Sequence, residues 1–360
     1  MNSGRIGLLI ISLGKRFGGA ERYTINLVET LPKNRYDVHV AVRFDGRLLS
    51  RLNSDNVLVL RMGLKSILPT IIRIGHYIKR NGISVIHCNG INAMVLACLL
   101  RNVRKIVVIH GDTAMDHKGM GFLKESIFPE LEILLMGCFD KCVAVSDSLK
   151  RLLGQRGAPK DRISVIHNGI VWFKYEKYAD ANTRILRICN IGNLQKVKGQ
   201  IYLLKALKYI DDHYPEVKYE CDIFGEGECE QELREYILMN KLETVHLRGF
   251  DDKARERLNG YHIYVQPSVY ESLGLSILEA FNAGCYVVGS DVGGLQEIFD
   301  IAGNANQRFP IGDYRKLARI IKHLDEERYL LEKGRLDAME NLKKEFSMQT
   351  MIEKMESIYG

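Results

Sequence analysis

The chain has 360 residues, 46% hydrophobic and 26% charged, which excludes collagen-like, disordered and disulfide-scaffold proteins. This length exceeds what one hydrophobic core usually organises, so we expect two domains. The formal charge of +7 is unevenly distributed, because residues 1–170 contain 25 basic and 13 acidic residues whereas residues 171–360 contain 26 and 31. The net positive charge therefore belongs to the first half of the chain.

Cysteine usage and hydropathy predict a cytoplasmic protein. The eight cysteines are scattered, mostly in apolar segments, without a CxxC pair or a Cys/His cluster at zinc spacing, which indicates reduced thiols. The apolar run at residues 6–13 lacks the basic flank and cleavage site of a signal peptide. No segment has the roughly 20 uncharged apolar residues that cross a bilayer, so we expect any membrane contact to be peripheral.

Short β-branched segments alternate with amphipathic helical ones, a pattern typical of parallel sheets covered by helices on both faces. Seven strands are predicted in the first half, at residues 6–13, 38–43, 57–61, 84–88, 105–110, 141–146 and 163–167. Five follow in the second half, at residues 186–191, 218–224, 245–248, 263–266 and 286–290. We predict a final amphipathic helix from about residue 326 to residue 359.

The alternation defines the predicted domains. Residues 1–170 and residues 185–340 are each predicted to form a Rossmann-like domain, joined by a polar linker at residues 171–184. Residues 341–360, the end of the final helix, are expected to return to the first domain. In open parallel sheets the ligand lies beyond the carboxyl ends of the strands, so functional residues are expected directly after each strand.

A glycine-rich turn follows the strand at residues 186–191. It reads GNLQKVKGQ, with Gly192 at the turn, Lys198 projecting and Gly199 at the entry to a helix. Backbone N–H groups, a helix dipole and a lysine favour a bound phosphate, although a plain turn with solvated lysines has the same pattern. The turn is not a Walker A loop, because no GK[ST] is present.

The strongest signal is the segment from Gln266 to Gly284, QPSVYESLGLSILEAFNAG. Glu271 follows a strand and Glu279 lies eight residues later, about 12 Å at helical rise. Two carboxylates at that separation suit two hydroxyl-bearing rings, while the amides of residues 272–275 suit a diphosphate between them. The alternative is that Glu271 complements a helix dipole and Glu279 is solvated.

Two features in the first half also follow strands. Gly18 and Gly19 open a helix after the first strand and would let a substrate approach the backbone closely. His110 ends the fifth predicted strand, where it would move a proton or bind a sugar hydroxyl, unless it is structural. His87 is a weaker candidate at another strand end, and His167 is interpreted as a turn residue.

With these residues assembled, the chain resembles the retaining glycosyltransferases of family 4, which have the GT-B fold and include bacterial surface-polysaccharide and lipid-linked sugar transferases. The matching segments are GGAE at 18–21, VSDSLK at 145–150, IHNGI at 166–170, GNLQKVKG at 192–199, PSVYESLGLSILEAFNAG at 267–284 and GGLQEI at 293–298. The resemblance implies two Rossmann-like domains facing across a cleft, with the first binding the acceptor and the second the nucleotide-sugar.

The resemblance also implies roles for individual residues. Glu271 would bind the donor sugar, Lys198 would neutralise the diphosphate, and His110 would lie near the reacting centre. The remaining donor-binding positions would be Gly18, Gly19, Gly192, Asn193, Ser272, Leu273, Gly274, Leu275 and Glu279, the last at the ribose. One departure is Asn193, which occupies the position of a family arginine that stabilises the leaving diphosphate. Either Lys196 or Arg187 compensates, or the donor preference and rate differ from the family norm, or the activity is weak.

The sequence thus predicts a retaining glycosyltransferase that moves a sugar from a UDP- or GDP-sugar to a hydroxyl of a growing, lipid-linked cell-surface glycan. We expect no cofactor, no metal and no nucleic-acid partner. A basic patch comprising Lys65, Arg73, Lys79, Arg80, Arg101, Arg104 and Lys105 is predicted to meet anionic lipid at the inner face of the plasma membrane, or else to be a solvated face. A nucleotide-sugar epimerase or phosphorylase of the same fold is the alternative, and a nucleic-acid-binding protein a remote one.

Overall fold

The computed structural model describes residues 4–15, 17–61, 63, 66–116, 126–175, 179–180, 183–303, 307–331 and 335–360. The chain divides into two compact units, the first formed by residues 1–169 with 348–360 and the second by residues 170–347. No helix among the described residues is long and apolar enough to cross a membrane.

The first unit is built on a seven-stranded sheet in which every strand pair is parallel. Its strands are β1 (Ile6–Ser12), β2 (Tyr36–Arg43), β3 (Val57–Leu60), β4 (Ile83–Asn89), β5 (Arg104–Ile109), β6 (Lys141–Ala144) and β7 (Ile163–Val165). Its helices are α1 (Gly19–Thr30), α2 (Ile67–Asn81), α3 (Ile91–Ala97), α4 (Thr113–Asp116), α5 (Phe128–Met136) and α6 (Asp147–Gln155). The strand order is β3-β2-β1-β4-β5-β6-β7.

The second unit is built on a six-stranded sheet, again parallel throughout. Its strands are β8 (Leu186–Ile191), β9 (Tyr219–Phe224), β10 (Val245–Gly249), β11 (Ile263–Gln266), β12 (Tyr286–Ser290) and β13 (Arg308–Phe309). Its helices are α7 (Gln200–His213), α8 (Glu230–Met239), α9 (Leu275–Asn282), α10 (Gly293–Ala302), α11 (Tyr314–Glu326) and α12 (Arg335–Phe346). The strand order is β10-β9-β8-β11-β12-β13.

The central strands are buried on both faces, as expected when helices cover a parallel sheet. Residues Leu8 to Ile11 of β1 are fully buried, and Ile263, Tyr264 and Val265 of β11 are equally inaccessible. Both sheets reverse their strand order once, between β1 and β4 and between β8 and β11. The prediction of two Rossmann-like α/β domains is confirmed, and these two reversal points are where ligands bind in such sheets.

The predicted continuous helix from residue 326 to residue 359 is wrong. The chain forms α11, α12 and a further helix, α13 (Met348–Tyr359), and residues 341–360 are therefore not one helix. The break before α13 has a clear cause, because the carbonyl of Phe346 accepts hydrogen bonds from the backbone N–H of Ile170 at 2.9 Å and the indole N–H of Trp172 at 3.1 Å. Helix α12 packs on α9 and α10 in the second unit, whereas α13 packs on α1 in the first.

Candidate functional site

Lys198 and Glu271 meet at the β8/β11 reversal point of the second unit. Lys198 ends a short 3₁₀ turn (Lys196–Lys198) after β8, and Glu271 lies in the loop after β11. The Lys198 Nζ donates to both carboxylate oxygens of Glu271, at 3.0 and 2.8 Å. The structure thus brings together the two residues that the sequence singled out, as an ion pair that is mostly shielded from solvent.

A buried polar chain holds the Glu271 carboxylate. The hydroxyl of Tyr264 donates to Oε1 of Gln266 at 2.7 Å, which directs the Gln266 amide nitrogen toward Ser268 at 2.8 Å and toward Glu271 Oε2 at 3.2 Å. Ser268 Oγ in turn donates to Glu271 Oε2 at 3.3 Å. Because Tyr264, Gln266 and Ser268 are buried, the orientation of Glu271 is set before any ligand arrives.

The loop that carries Glu271 is fixed to the Lys198 turn through the backbone. The carbonyl of Val197 accepts the N–H groups of Val269 at 2.8 Å and Tyr270 at 3.3 Å. Gly199 has φ of +64°, and a β-carbon at this position would lie 2.1 Å from the carbonyl oxygen of Pro267. Only glycine allows the turn and the loop to approach this closely.

The start of α9 provides unused hydrogen-bond donors beside Glu271. Gly274 precedes the helix with φ of +95°, and within the described ranges the backbone N–H groups of Leu273, Gly274 and Leu275 donate to no other group. Such N–H groups at a helix N-terminus attract an anion. The neighbouring Gly293 and Gly294 pack against the backbone of this loop, and the N–H of Gly294 donates to the Glu271 carbonyl at 2.9 Å.

Glu279 lies on α9, beyond the loop that carries Glu271. The estimate of about 12 Å between Glu271 and Glu279 assumed a continuous helix, but α9 begins only at Leu275. The Glu279 carboxylate is paired with Nε of Arg255, which lies on a 3₁₀ helix (Ala254–Gly260), and this carboxylate raises the pKa of Arg255. The predicted ribose-binding group thus has a cationic partner.

Gly192 and Asn193 lie directly after β8, on the chain segment that leads to Lys198. The carbonyl of Asn193 accepts from the side chain of Gln200 at 3.1 Å, so α7 secures the turn. Arg187 cannot take the place of the missing arginine, because its position near the start of β8 is roughly 16 Å from Gly192 at strand rise. Lys196 lies in the same 3₁₀ turn as Lys198 and is exposed.

In the first unit, Gly18 and Gly19 form the start of α1 at the β1/β4 reversal point. The N–H of Gly18 donates to the carboxylate of Glu21 at 2.9 Å, so the Glu21 side chain caps the first turn of the helix. Glu21 is buried, and burial raises the pKa of its carboxyl group. The GGAE segment therefore has a structural role in addition to any contact with substrate.

His110 belongs to a chain of hydrogen bonds at the same edge of the first sheet. Its Nε2 lies 3.0 Å from Oδ1 of Asn89, and that oxygen is also 3.1 Å from Nε2 of His87. The Nδ1 of His87 is 2.7 Å from the hydroxyl of Tyr359 on α13, and the Asn89 amide nitrogen donates to Thr24 at 2.9 Å. Burial lowers the pKa of His87 from 6.5 to about 4 and that of His110 to about 3, so both rings are neutral at pH 7.

Several of these residues were missed from the sequence. Asn89 is the last residue of β4, a strand end like that of His110, but an amide side chain there gives no distinctive chemical signal. Arg255 and Tyr359 reach their partners only through the fold. His167 is buried beside Asn168, whose amide nitrogen lies 3.5 Å from Nδ1 of His110.

Family comparisons account for most of the chain. Residues 17–171 match the family described as Glycosyltransferase Family 4, and residues 186–327 match the family described as Glycosyl transferases group 1. Among individual proteins, the chain is 24% identical to the putative glycosyltransferase EpsF of Bacillus subtilis, over 81% of this chain and 80% of EpsF. It is 23% identical to the UDP-Gal:alpha-D-GlcNAc-diphosphoundecaprenol alpha-1,3-galactosyltransferase of Escherichia coli, with the same coverage of 81% and 80%.

Solved structures agree on the fold. The crystal structure of Anabaena Alr3699/HepE in complex with UDP and glucose is similar with a TM-score of 0.81 and 19% sequence identity, covering 98% of this chain and 99% of that one. At this level of identity the likeness establishes the architecture of paired Rossmann-like domains.

Proposed function

We propose that this chain, which belongs to the family 4 glycosyltransferases of the GT-B fold, transfers a sugar from a UDP- or GDP-sugar. The acceptor is a hydroxyl of a growing, lipid-linked cell-surface glycan, and the anomeric configuration of the sugar is retained. The observation that carries the proposal is the Lys198–Glu271 pair beside the unused N–H groups of α9. A cation, a carboxylate and helix N–H groups in one cluster suit the diphosphate and hydroxyls of such a donor.

The proposed chemistry depends on charge stabilisation. Breaking the bond between the anomeric carbon and the diphosphate oxygen builds negative charge on the phosphates and positive charge on the sugar. Lys198 and the N–H groups of Leu273 to Leu275 stabilise the departing diphosphate, and Glu271 accepts hydrogen bonds from the sugar hydroxyls. The departing phosphate takes the acceptor proton on the same face of the sugar, so no protein nucleophile is required.

Two related proteins support both proposed substrates. The Escherichia coli relative is named as using UDP-Gal and a diphosphoundecaprenol-linked sugar, and the Anabaena structure holds UDP and glucose. A nucleotide-sugar donor and a lipid-linked acceptor are therefore the first substrates to test for this chain.

The direct experiment is to screen UDP- and GDP-sugars by thermal shift and then assay transfer with labelled donor and polyprenyl-diphosphate-linked acceptors. A bound donor raises the melting temperature because it binds only the native state. We expect a labelled glycan and free nucleoside diphosphate as products. An epimerised nucleotide-sugar, or sugar phosphate formed only with added phosphate, would identify the epimerase or phosphorylase alternative instead.

We further propose that transfer needs no divalent metal, because Lys198 and the α9 N–H groups supply the charge stabilisation that a metal would otherwise give. Activity should persist after EDTA treatment and dialysis. A loss of activity that Mg²⁺ or Mn²⁺ restores would contradict this part of the proposal.

Helix α2 is the proposed membrane-facing element of the first unit. Its exposed face combines two aliphatic residues, Leu68 at 65% and Ile72 at 53% exposure, with the exposed cations Lys79 and Arg80. An amphipathic face of this kind binds anionic lipid through both apolar insertion and charge, each cation contributing about 1 kcal/mol.

The structure refines the basic patch. All of these cations in the described part of the chain are exposed except Lys105, which is half-buried, and Lys65 lies outside the described residues. Arg73, Arg104 and Lys105 each also donate to a backbone carbonyl. Sedimentation with phosphatidylglycerol vesicles tests the proposal. We expect Leu68→Ser/Ile72→Ser and Lys79→Glu/Arg80→Glu each to weaken binding, while the control Leu238→Ser/Met239→Ser, an exposed apolar pair of the second unit, leaves binding unchanged. Absence of wild-type binding at low salt would remove the membrane proposal.

A further inference from the structure

The donor and acceptor roles in the hydrogen-bond chain around His110 can be assigned in order, starting from Thr24 on α1. Thr24 Oγ1 donates to the carbonyl of Ala20 at 2.9 Å, so its oxygen accepts from the Asn89 amide nitrogen. The Asn89 amide is thereby oriented with Oδ1 toward both imidazoles. A carbonyl oxygen only accepts hydrogen bonds, and it has two lone pairs, so it accepts one bond from each ring.

The orientation of Asn89 fixes both histidine tautomers. His87 and His110 must each carry the proton on Nε2, because each Nε2 donates to the Asn89 oxygen. With its proton on Nε2, a neutral His87 accepts at Nδ1 from the Tyr359 hydroxyl at 2.7 Å. His110 likewise has an unprotonated Nδ1, whose partner in the described part of the chain, the Asn168 amide nitrogen, lies at a long 3.5 Å.

We propose that Tyr359 on α13 is a positioning residue for His110: acting through His87 and Asn89, it holds His110 as the Nε2–H tautomer, so that Nδ1 accepts a hydrogen bond from a substrate hydroxyl. The proposal rests on the proposed function for the hydroxyl-bearing substrate, although the tautomer itself is independent of activity. The side chain of Asn168 is buried, and its Oδ1 has no partner among the described residues, which leaves a second acceptor beside Nδ1.

The side chains of this hydrogen-bond chain are buried, which restricts their movement and links them to α13. His87 and Asn89 are buried, Tyr359 is 2% exposed, and the ring of Tyr23 contacts both imidazoles at centroid distances of 5.7 and 4.7 Å. A Tyr359→Phe change would leave Nδ1 of buried His87 as an acceptor without a donor, and phenylalanine offers no acceptor for a proton moved to that nitrogen. We therefore expect the His87 ring to turn or shift toward another partner, which disturbs its bond to Asn89. Tyr23→Phe is the matched control, because it removes a buried hydroxyl that has no partner in the described ranges while keeping the same ring contacts.

The test reads the ring nitrogens directly by long-range ¹H–¹⁵N NMR of the full chain labelled with ¹⁵N-histidine. We expect the Nε2–H pattern for both His87 and His110 in the wild type and in Tyr23→Phe. In Tyr359→Phe we expect an altered His87 pattern, a changed His110 signal, and a roughly tenfold lower kcat for transfer with the KM for the donor unchanged.

Two results would overturn the proposal: an Nδ1–H pattern for His110 in the wild type, or a His110 pattern and kcat that Tyr359→Phe does not change. The wild-type spectrum decides the tautomer even if Tyr359→Phe fails to fold. If the wild-type protein transferred no sugar from any donor, the proposed function would fail. The ring-nitrogen spectrum would still test the hydrogen-bond chain from Tyr359 to His110.

Discussion

Lys198 and Glu271 form a two-point ion pair in which the ammonium nitrogen lies 3.0 and 2.8 Å from the two carboxylate oxygens. Seventy-three residues separate them in sequence, and the β8/β11 reversal of the second sheet brings them together. The pair places a cation and an anion side by side at the proposed donor site. A donor with a diphosphate and sugar hydroxyls would give each of them a new partner, so the pairing keeps both groups ordered until a substrate binds.

Removing either member of this pair should abolish most transfer activity. Lys198→Ala and Glu271→Ala are each expected to lower kcat/KM at least about 100-fold, because charge stabilisation of the leaving group and sugar positioning are lost. The variants should keep the far-UV circular dichroism spectrum of the wild type. Lys316→Ala, an exposed lysine on α11, is the control and should retain full activity. Near wild-type turnover of either site variant would remove its assignment.

The ion pair between Arg255 and Glu279 should contribute both to the stability of the fold and to donor binding. Arg255→Met leaves the Glu279 carboxylate without its cation, so we expect a loss of about 1–3 kcal/mol in the free energy of unfolding and a several-fold rise in the KM for the donor. Arg257→Met, in the same 3₁₀ helix but 56% exposed, should cost less than about 1 kcal/mol. Urea denaturation and donor titration measure both quantities, and equal effects of the two variants would contradict the account.

Gly199 should be the least tolerant glycine of the donor cluster. Gly199→Ala combines a left-handed backbone with a β-carbon 2.1 Å from the Pro267 carbonyl, whereas Gly249→Ala has a similar φ of +72° with open space around it. Gly249→Ala should therefore cost about 1 kcal/mol, and Gly199→Ala at least about 2 kcal/mol more, with loss of activity as the Glu271 loop moves. The comparison by urea denaturation would go against this steric account if the two variants were equally stable.

Stability should fall on acidification because of the buried histidines. In the unfolded chain a histidine takes up a proton below about pH 6.5, whereas burial lowers the pKa of His87 to about 4 and of His110 to about 3 in the native state. The unfolded state therefore binds more protons between pH 6.5 and 4, and the free energy of unfolding decreases as pH falls through that window. His87→Gln should show a shallower dependence in urea titrations at pH 7, 6 and 5. An unchanged slope would mean that His87 is not a source of the effect.

The sheets and the Lys198–Glu271 cluster were predictable because their signals are local. Continuous β-branched runs identify buried parallel strands, and catalytic candidates follow from the rule that ligands lie at strand ends. The two-residue β13 is too short to give any such signal. The break between α12 and α13 was not predictable, because it depends on Ile170 and Trp172 reaching the Phe346 carbonyl from a distant part of the chain.

The hydrogen-bond chain at His110 could not be predicted from the sequence for the same reason. His87 and Tyr359 are 272 positions apart, and no periodicity links them. Arg255 lies in a segment of mixed charge, DDKARER, where nothing in the pattern distinguishes it from a solvated arginine. Local sequence thus predicted which loops carry chemistry, whereas the side chains that orient the catalytic candidates depend on tertiary packing.

The most direct test of the central claim is the anomeric configuration of the product formed from a labelled α-linked UDP- or GDP-sugar and a lipid-linked acceptor. The one-bond ¹³C–¹H coupling at the anomeric carbon of the isolated glycan distinguishes α from β linkages. The account predicts an α-linked product, formed with release of the nucleoside diphosphate and lost in Lys198→Ala and Glu271→Ala. A β-linked product, or transfer that persists in both variants, would contradict it.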